Sequence, residues 1–111
     1  VLVNLITNAK NAMVEHSDST RCLTLRLGVP TGSAFARLEV IDTGGGIKAE
    51  NLHKLFAQGF TTRKAGHGLG LHSSAIVAKN LGGTLQAHSA GEGQGATFTL
   101  DLPLVLVEAA A

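Results

Sequence analysis

Three asparagines, one aspartate and a run of glycines are the residues whose types and spacing invite chemistry. Asn4, Asn8 and Asn11 stand at i, i+4 and i+7, so on a helix they form one stripe. Asn is a poor helix former, and solvated helix faces usually carry Lys and Glu, so three carboxamides in line call for a reason. A solvated polar face is the plain one. The other is that a carboxamide oxygen is a hard, neutral ligand, suited to Mg²⁺ whose charge is balanced by nucleotide phosphates.

A second group is Asp42-Thr43-Gly44-Gly45-Gly46-Ile47. Strand alternation puts Asp42 on the same face as Leu38 and Val40, pointing toward the core, where a carboxylate is costly unless hydrogen-bonded. An adenine amino group is one donor that satisfies it, and the glycines let a flat ring approach the backbone. An Asp-Gly turn that caps the next helix is the commoner use of such a run. A third group is Thr61-Thr62-Arg63-Lys64 followed by Gly66-His67-Gly68-Leu69-Gly70-Leu71. A glycine-rich loop entering a helix presents free backbone N–H groups to an anion, and Arg63 and Lys64 add positive charge. No Gly-Lys-Ser/Thr follows the glycines, so this is not a Walker-type loop. No strand leads directly into it, so it is not a dinucleotide fingerprint either.

The elements that must position these groups follow from periodicity. Val1, Leu2, Leu5, Ile6, Ala9, Ala12 and Met13 recur at helical spacing, with the asparagine stripe roughly opposite the centre of the Leu2/Leu5/Ala9/Met13 face. Residues 21–29 alternate, with Leu23, Leu25, Leu27 and Val29 on one face. After the Pro30-Thr31-Gly32-Ser33 turn, residues 34–42 alternate again, which reads as a hairpin. A short helix is expected over 49–56, a mobile loop over 57–70, and a helix over 71–81 that stops at Gly82-Gly83. Strands at 84–89 and 96–102 close the domain, expected to span 1–103, and 104–111 reads as a tail. The sum is an α+β layer, antiparallel in its visible parts.

Composition narrows the class. The chain of 111 residues is 44% apolar and 15% charged, with a net charge of +1, which gives no electrostatic case for nucleic acid or an anionic membrane surface. With 4 Phe and no Trp or Tyr, the chain has few aromatics from which to build a base-stacking platform. One cysteine, Cys22, cannot form an internal disulfide, which suits a reducing compartment. No apolar run approaches the ~20 residues that span a bilayer. The cytoplasm is therefore the expected location, with no direct membrane contact, although the parent protein could be anchored in the inner membrane elsewhere.

Four blocks, in order, carry a resemblance. They are Asn4-Leu5-Ile6-Thr7-Asn8-Ala9, then Asp42-Thr43-Gly44-Gly45-Gly46-Ile47. The third and fourth are Leu55-Phe56-Ala57-Gln58-Gly59-Phe60-Thr61-Thr62-Arg63-Lys64 and Gly66-His67-Gly68-Leu69-Gly70-Leu71. Together they resemble the GHKL, or Bergerat-fold, ATPase superfamily of histidine kinases, gyrase-type topoisomerases, ninety-kilodalton heat-shock chaperones and mismatch-repair ATPases. Within it the sequence is most similar to the sensor histidine kinases. Clamp-type ATPases place a glutamate, as general base for water, where this chain has Asn4.

The resemblance implies a two-layer α/β sandwich with a mixed, mostly antiparallel sheet under three helices, N-terminally truncated by a strand and some helical turns before Val1. It implies ATP and Mg²⁺ as cofactors, with Asn8 the principal Mg²⁺ ligand and Asn4 nearby. Asp42 would bind the adenine amino group, and Gly44, Gly46 and Ile47 would line its pocket. Arg63 and Lys64 would meet the phosphates, the backbone of Gly68, Leu69, Gly70 and Leu71 would cradle the β- and γ-phosphates, and Thr61, Thr62 and His67 belong to the same nucleotide-binding set. Lys10 and Asn11 sit where the family has pocket residues, and Thr97 matches an adenine contact loosely. The implied reaction is γ-phosphoryl transfer to a histidine on a separate dimerisation and phosphoacceptor domain of a homodimeric parent, with a response regulator receiver domain downstream. None of His16, His53, His67, His72 and His88 is followed by Asp or Glu, so the acceptor is expected elsewhere. A serine kinase of the anti-sigma-factor type and a non-catalytic nucleotide-sensing module are the alternatives.

Overall fold

In a computed structural model, residues 1–15, 21–57 and 70–104 are described. The first element, α1 (Leu2–Glu15), buries Leu5, Ala9 and Met13. These stand at i, i+4 and i+8, which sets the packed line of the helix. Leu2, grouped with that face in the sequence, is 41% exposed. At about 100° per residue it lies within about 20° of the centre of that line, so its exposure comes from its place as the first residue of the helix and not from its face.

Two antiparallel hairpins make the sheet. β1 (Leu23–Gly28) pairs with β2 (Phe35–Asp42), and β3 (Thr84–His88) pairs with β4 (Ala96–Pro103). The hairpins join through an antiparallel β2–β4 ladder, giving the order β1-β2-β4-β3. Among the described residues every pairing is antiparallel. The last strand reaches Pro103, opposite Phe35, one residue further than the sequence suggests.

Among the described residues the helices lie on one face of the sheet. α1 packs on β2, and α3 (Gly70–Asn80) packs on β3 and β4. Between the layers Leu5, Ala9, Val40, Ala96 and Phe98 form the core, with Ile47, Leu55, Phe56, Leu71 and Leu85 packed around it. The opposite face is polar. There Arg37 makes a two-pronged pair with Asp101 at 2.9 and 3.0 Å, and Arg26 lies 3.6 Å from Glu39. The Asp101 hydrogen bond raises the Arg37 pKa further above its ordinary value, so this guanidinium stays charged at any working pH.

Edge strand β1 departs from expectation. Its Leu25 and Leu27 face the helix side, opposite Val40 and Leu38, yet they are 50% and 75% exposed. Among the described residues α1 lies on β2 and α3 on β3 and β4, and no helix packs broadly over this row.

The remaining helix, α2 (Ala49–Leu52), is half the expected length. Beyond it the chain advances by tight i→i+3 turns, with Lys54 and Ala57 N–H groups donating to Asn51 and Lys54 carbonyls. No side chain caps its N-terminus, and a segment this short gains little from helix cooperativity. By contrast α3 ends as expected. The Gly83 N–H bonds the Ala78 carbonyl at 2.8 Å and the Gly82 N–H bonds that of Lys79 at 2.9 Å, the paired closure of a Schellman stop.

Candidate functional site

Asp42, the last residue of β2, is only 3% exposed. Its inward aim follows from alternation with Val40, which is fully buried. Its Oδ1 accepts the Gly44 N–H at 2.8 Å, so the carboxylate turns its own loop back over itself. That bond accounts for part of the lone-pair capacity of a buried carboxylate, which has about four acceptor sites.

The glycines after Asp42 are there for close approach. A Cβ on Gly44 would lie 2.7 to 2.8 Å from the backbone and side chain of Ala12, so α1 and this loop touch at a distance only glycine permits. The Gly45 N–H reaches the Ala12 carbonyl at 3.4 Å across the same contact. Gly46 has φ of 71°, and a Cβ there would collide with the Gly91 carbonyl oxygen. The loop is thus pressed on one side against the asparagine-bearing helix and on the other against the 89–95 turn.

That turn braces the loop through Ser89. Its Oγ accepts the Ile47 N–H at 3.0 Å and donates to the Gly95 carbonyl at 2.7 Å. Gly93 and Gly95 add N–H bonds to the Gly45 and Gly44 carbonyls at 2.7 and 3.2 Å. Ile47 then rests, half-buried, against the core.

On α1, Asn8 and Asn11 are half-buried while Asn4 and Lys10 are exposed. Asn4 is tied to α3: its Nδ2 donates to Ser74 Oγ at 3.1 Å and leans toward the Gly70 carbonyl at 3.4 Å. Gly70 and Leu71 open α3, where first-turn N–H groups have no intrahelical acceptors. Asp42, Gly44, Gly46 and Ile47 therefore lie on one loop that meets α1 at Ala12 along a seam, with the start of α3 held to α1 through Asn4. Thr61, Thr62, Arg63, Lys64, His67, Gly68 and Leu69 lie outside the described residues.

Thr97 does not join them. It pairs with Ile41, whereas its neighbour Ala96 pairs with Asp42 and faces the helices. With Ala96 and Phe98 buried inward, alternation turns the Thr97 side chain to the far face of the sheet.

Three residues that the sequence did not single out support the seam. Ser89 is one. His72 is another, with Nδ1 2.8 Å from the Phe56 carbonyl, joining α3 to the end of the α2 segment. Ser74 is the third, 1% exposed on the packed side of α3 between Leu71 and Ala78. A serine at a core position of an amphipathic helix was a readable signal, because a buried hydroxyl needs a partner. The bonds of Ser89 and His72 cross between distant segments and left no local trace.

The residues fit a nucleotide with a divalent cation. A buried carboxylate beside a backbone that leaves no room for a Cβ suits a flat, donor-bearing base, and carboxamide oxygens suit a hard cation. No helix among the described residues is long and apolar enough to cross a membrane.

Known proteins share this sequence pattern and this fold. Residues 1–106 match the family model for histidine kinase-, DNA gyrase B-, and HSP90-like ATPases. The chain is 38% identical over 104 residues to the sensor histidine kinase ZraS of Escherichia coli (strain K12), a match covering 94% of this chain and 21% of ZraS. It superposes on the mycobacterial sensor histidine kinase MprB with a TM-score of 0.77 at 26% identity, over 91% of this chain and 66% of that one. Full-length ShkA in complex with AMPPNP shares the fold, with a TM-score of 0.78 at 24% identity over 96% of this chain and 21% of that one. The chain spans about a fifth of the length of the ZraS relatives it matches. With every described element inside the matched span, the chain belongs to the histidine kinase-, DNA gyrase B- and HSP90-like ATPase family.

Proposed function

We propose that this chain is the ATP-binding catalytic part of a two-component sensor histidine kinase, presenting Mg-ATP for transfer of the γ-phosphoryl group to a histidine on a separate domain. The observation that carries the reading is Asp42: a carboxylate 3% exposed, at the end of a strand, beside a backbone pressed to Ala12 at glycine-only distance. In this role Asp42 accepts the adenine amino group while Gly44, Gly46 and Ile47 form the floor under the ring. Asn8 holds the cation through its carboxamide oxygen. The first-turn N–H groups of α3 at Gly70 and Leu71 face phosphate oxygens. Magnesium, when bound, neutralises charge on the phosphates.

Asn4 supports transfer to a protein nucleophile over hydrolysis. A carboxamide cannot take a proton from water, and this one already donates to Ser74 and Gly70. Phosphoryl transfer depends chiefly on positioning and charge neutralisation, so a chain without its acceptor should hold nucleotide and turn it over slowly. The partners in this reading are the parent's own dimerisation and phosphoacceptor domain and a response regulator receiver domain, in the cytoplasm.

Titration calorimetry with a non-hydrolysable ATP analogue tests the reading. The wild type should bind saturably and more tightly with Mg²⁺. Asp42→Asn, which keeps an oxygen for the Gly44 N–H, should weaken binding about 10- to 100-fold, the worth of a hydrogen bond to a charged group. A folded wild type that binds no nucleotide would sink the proposal.

A further inference from the structure

The packed side of α3 carries one hydroxyl where an aliphatic side chain is expected. Ser74 is 1% exposed, in line with Leu71 and Ala78. Its Oγ, 3.1 Å from Asn4 Nδ2, receives a hydrogen bond from the other helix. The same nitrogen leans toward the Gly70 carbonyl at 3.4 Å, and a carbonyl can only accept. That fixes the sense of the carboxamide: its nitrogen faces α3, and its oxygen is the end left for the Asn4/Asn8 stripe. A hydroxyl can donate or accept, so the Gly70 carbonyl sets that sense, while Ser74 Oγ holds the carboxamide in place beside it.

We propose that Ser74 is a positioning residue for the cation site, anchoring the Asn4 carboxamide against the Gly70 carbonyl so that oxygen, not nitrogen, is presented on the α1 stripe. The inference rests on the reading of that stripe as the cation-holding side of the nucleotide site. A wrongly turned carboxamide would offer an N–H pair to a cation, which repels it. The outer partner of a ligand sets which atom the ligand offers, and removing such partners costs about 10- to 100-fold in metal affinity. A smaller role, letting α1 and α3 approach, asks only for a small side chain. Ser74→Ala keeps the size and deletes the hydroxyl, so it separates the two.

The experiment uses the whole chain and two readouts. In nucleotide-free protein, ¹⁵N NMR follows the side-chain amide of Asn4, assigned with Asn4→Asp. In calorimetry, ADP and a non-hydrolysable ATP analogue are titrated with and without Mg²⁺ into wild type, Ser74→Ala and Ser74→Thr. The expected result is that Ser74→Ala moves the Asn4 resonances toward those of a solvated carboxamide. It should also cut the magnesium-dependent gain in affinity about tenfold, with affinity in the absence of Mg²⁺ and melting temperature close to wild type. Ser74→Thr, which keeps the hydroxyl, should recover most of the gain.

Unmoved Asn4 resonances with a full magnesium gain in Ser74→Ala would overturn the proposal. So would an equal loss with and without Mg²⁺, which marks a packing role. Wild type that binds nucleotide with no magnesium gain overturns it while leaving the adenine assignment standing, whereas wild type that binds nothing removes the nucleotide reading itself.

Discussion

The seam between the Asp42 loop and α1 is built at single-residue tolerance. Gly44 is the tightest point, since a Cβ there meets the Ala12 backbone, and backbone cannot swing aside as a side-chain tip can. Gly44→Ala should therefore lower stability by about 1–3 kcal/mol, the range for overpacking a close-packed contact. Because the loop carries the Asp42 partner N–H, the same variant should lose nucleotide affinity at temperatures where it remains folded. Urea denaturation paired with calorimetry checks both, and an unchanged midpoint would mean that α1 and the loop part easily. Asp42, Gly44 and the asparagine stripe were legible in the sequence because each is a residue type at odds with its local element. Thr97 was misplaced because strand alternation decides its face, and one residue of register exchanges Ala96 for Thr97 opposite Asp42.

Among the elements, the 89–95 turn does for the Asp42 loop what a cap does for a helix. Ser89 satisfies the Ile47 N–H and the Gly95 carbonyl at once, so the loop is held by a hairpin remote in sequence. Ser89→Ala leaves a half-buried N–H without its acceptor and should cost about 1–3 kcal/mol. It should also raise hydrogen exchange at Ile47 and Gly95 more than in β1 or β2, and uniform exchange across the chain would show that the turn does not brace the loop. The helix stop at Gly82 and both hairpins were readable from their turn residues. The early end of α2 was not, because 49–56 has helical composition but only half-buried contacts at Leu52, Leu55 and Phe56 to hold it.

For the molecule as a whole, burial is concentrated where the helices cover the sheet. Phe98 is 1% exposed at the centre of that layer, whereas Leu27, on the same face of the sheet but in edge strand β1, is 75% exposed. Phe98→Ala should cost about 3–5 kcal/mol, a large part of the stability of any small domain. Leu27→Ser should stay within about 0.5 kcal/mol of wild type, as a surface change does. Thermal and chemical denaturation of the pair measure the difference. Comparable losses would mean that β1 is covered in solution by something other than α1 and α3.

The sequence by itself determined the element order, the inward aim of Asp42, the asparagine stripe and the membership that these motifs announce. Those features are local: period 2 or 3.6, a glycine run, a polar residue in an apolar face. Tertiary structure alone decided which distant segments touch. It brought Ser89 to Ile47, Ser74 to Asn4 and His72 to the Phe56 carbonyl, and it left the leucine row of β1 uncovered. The reason is physical. Periodicity states which face of an element is apolar, but only the packed arrangement of layers states what lies against that face, and a single hydroxyl or imidazole bond leaves no period to read.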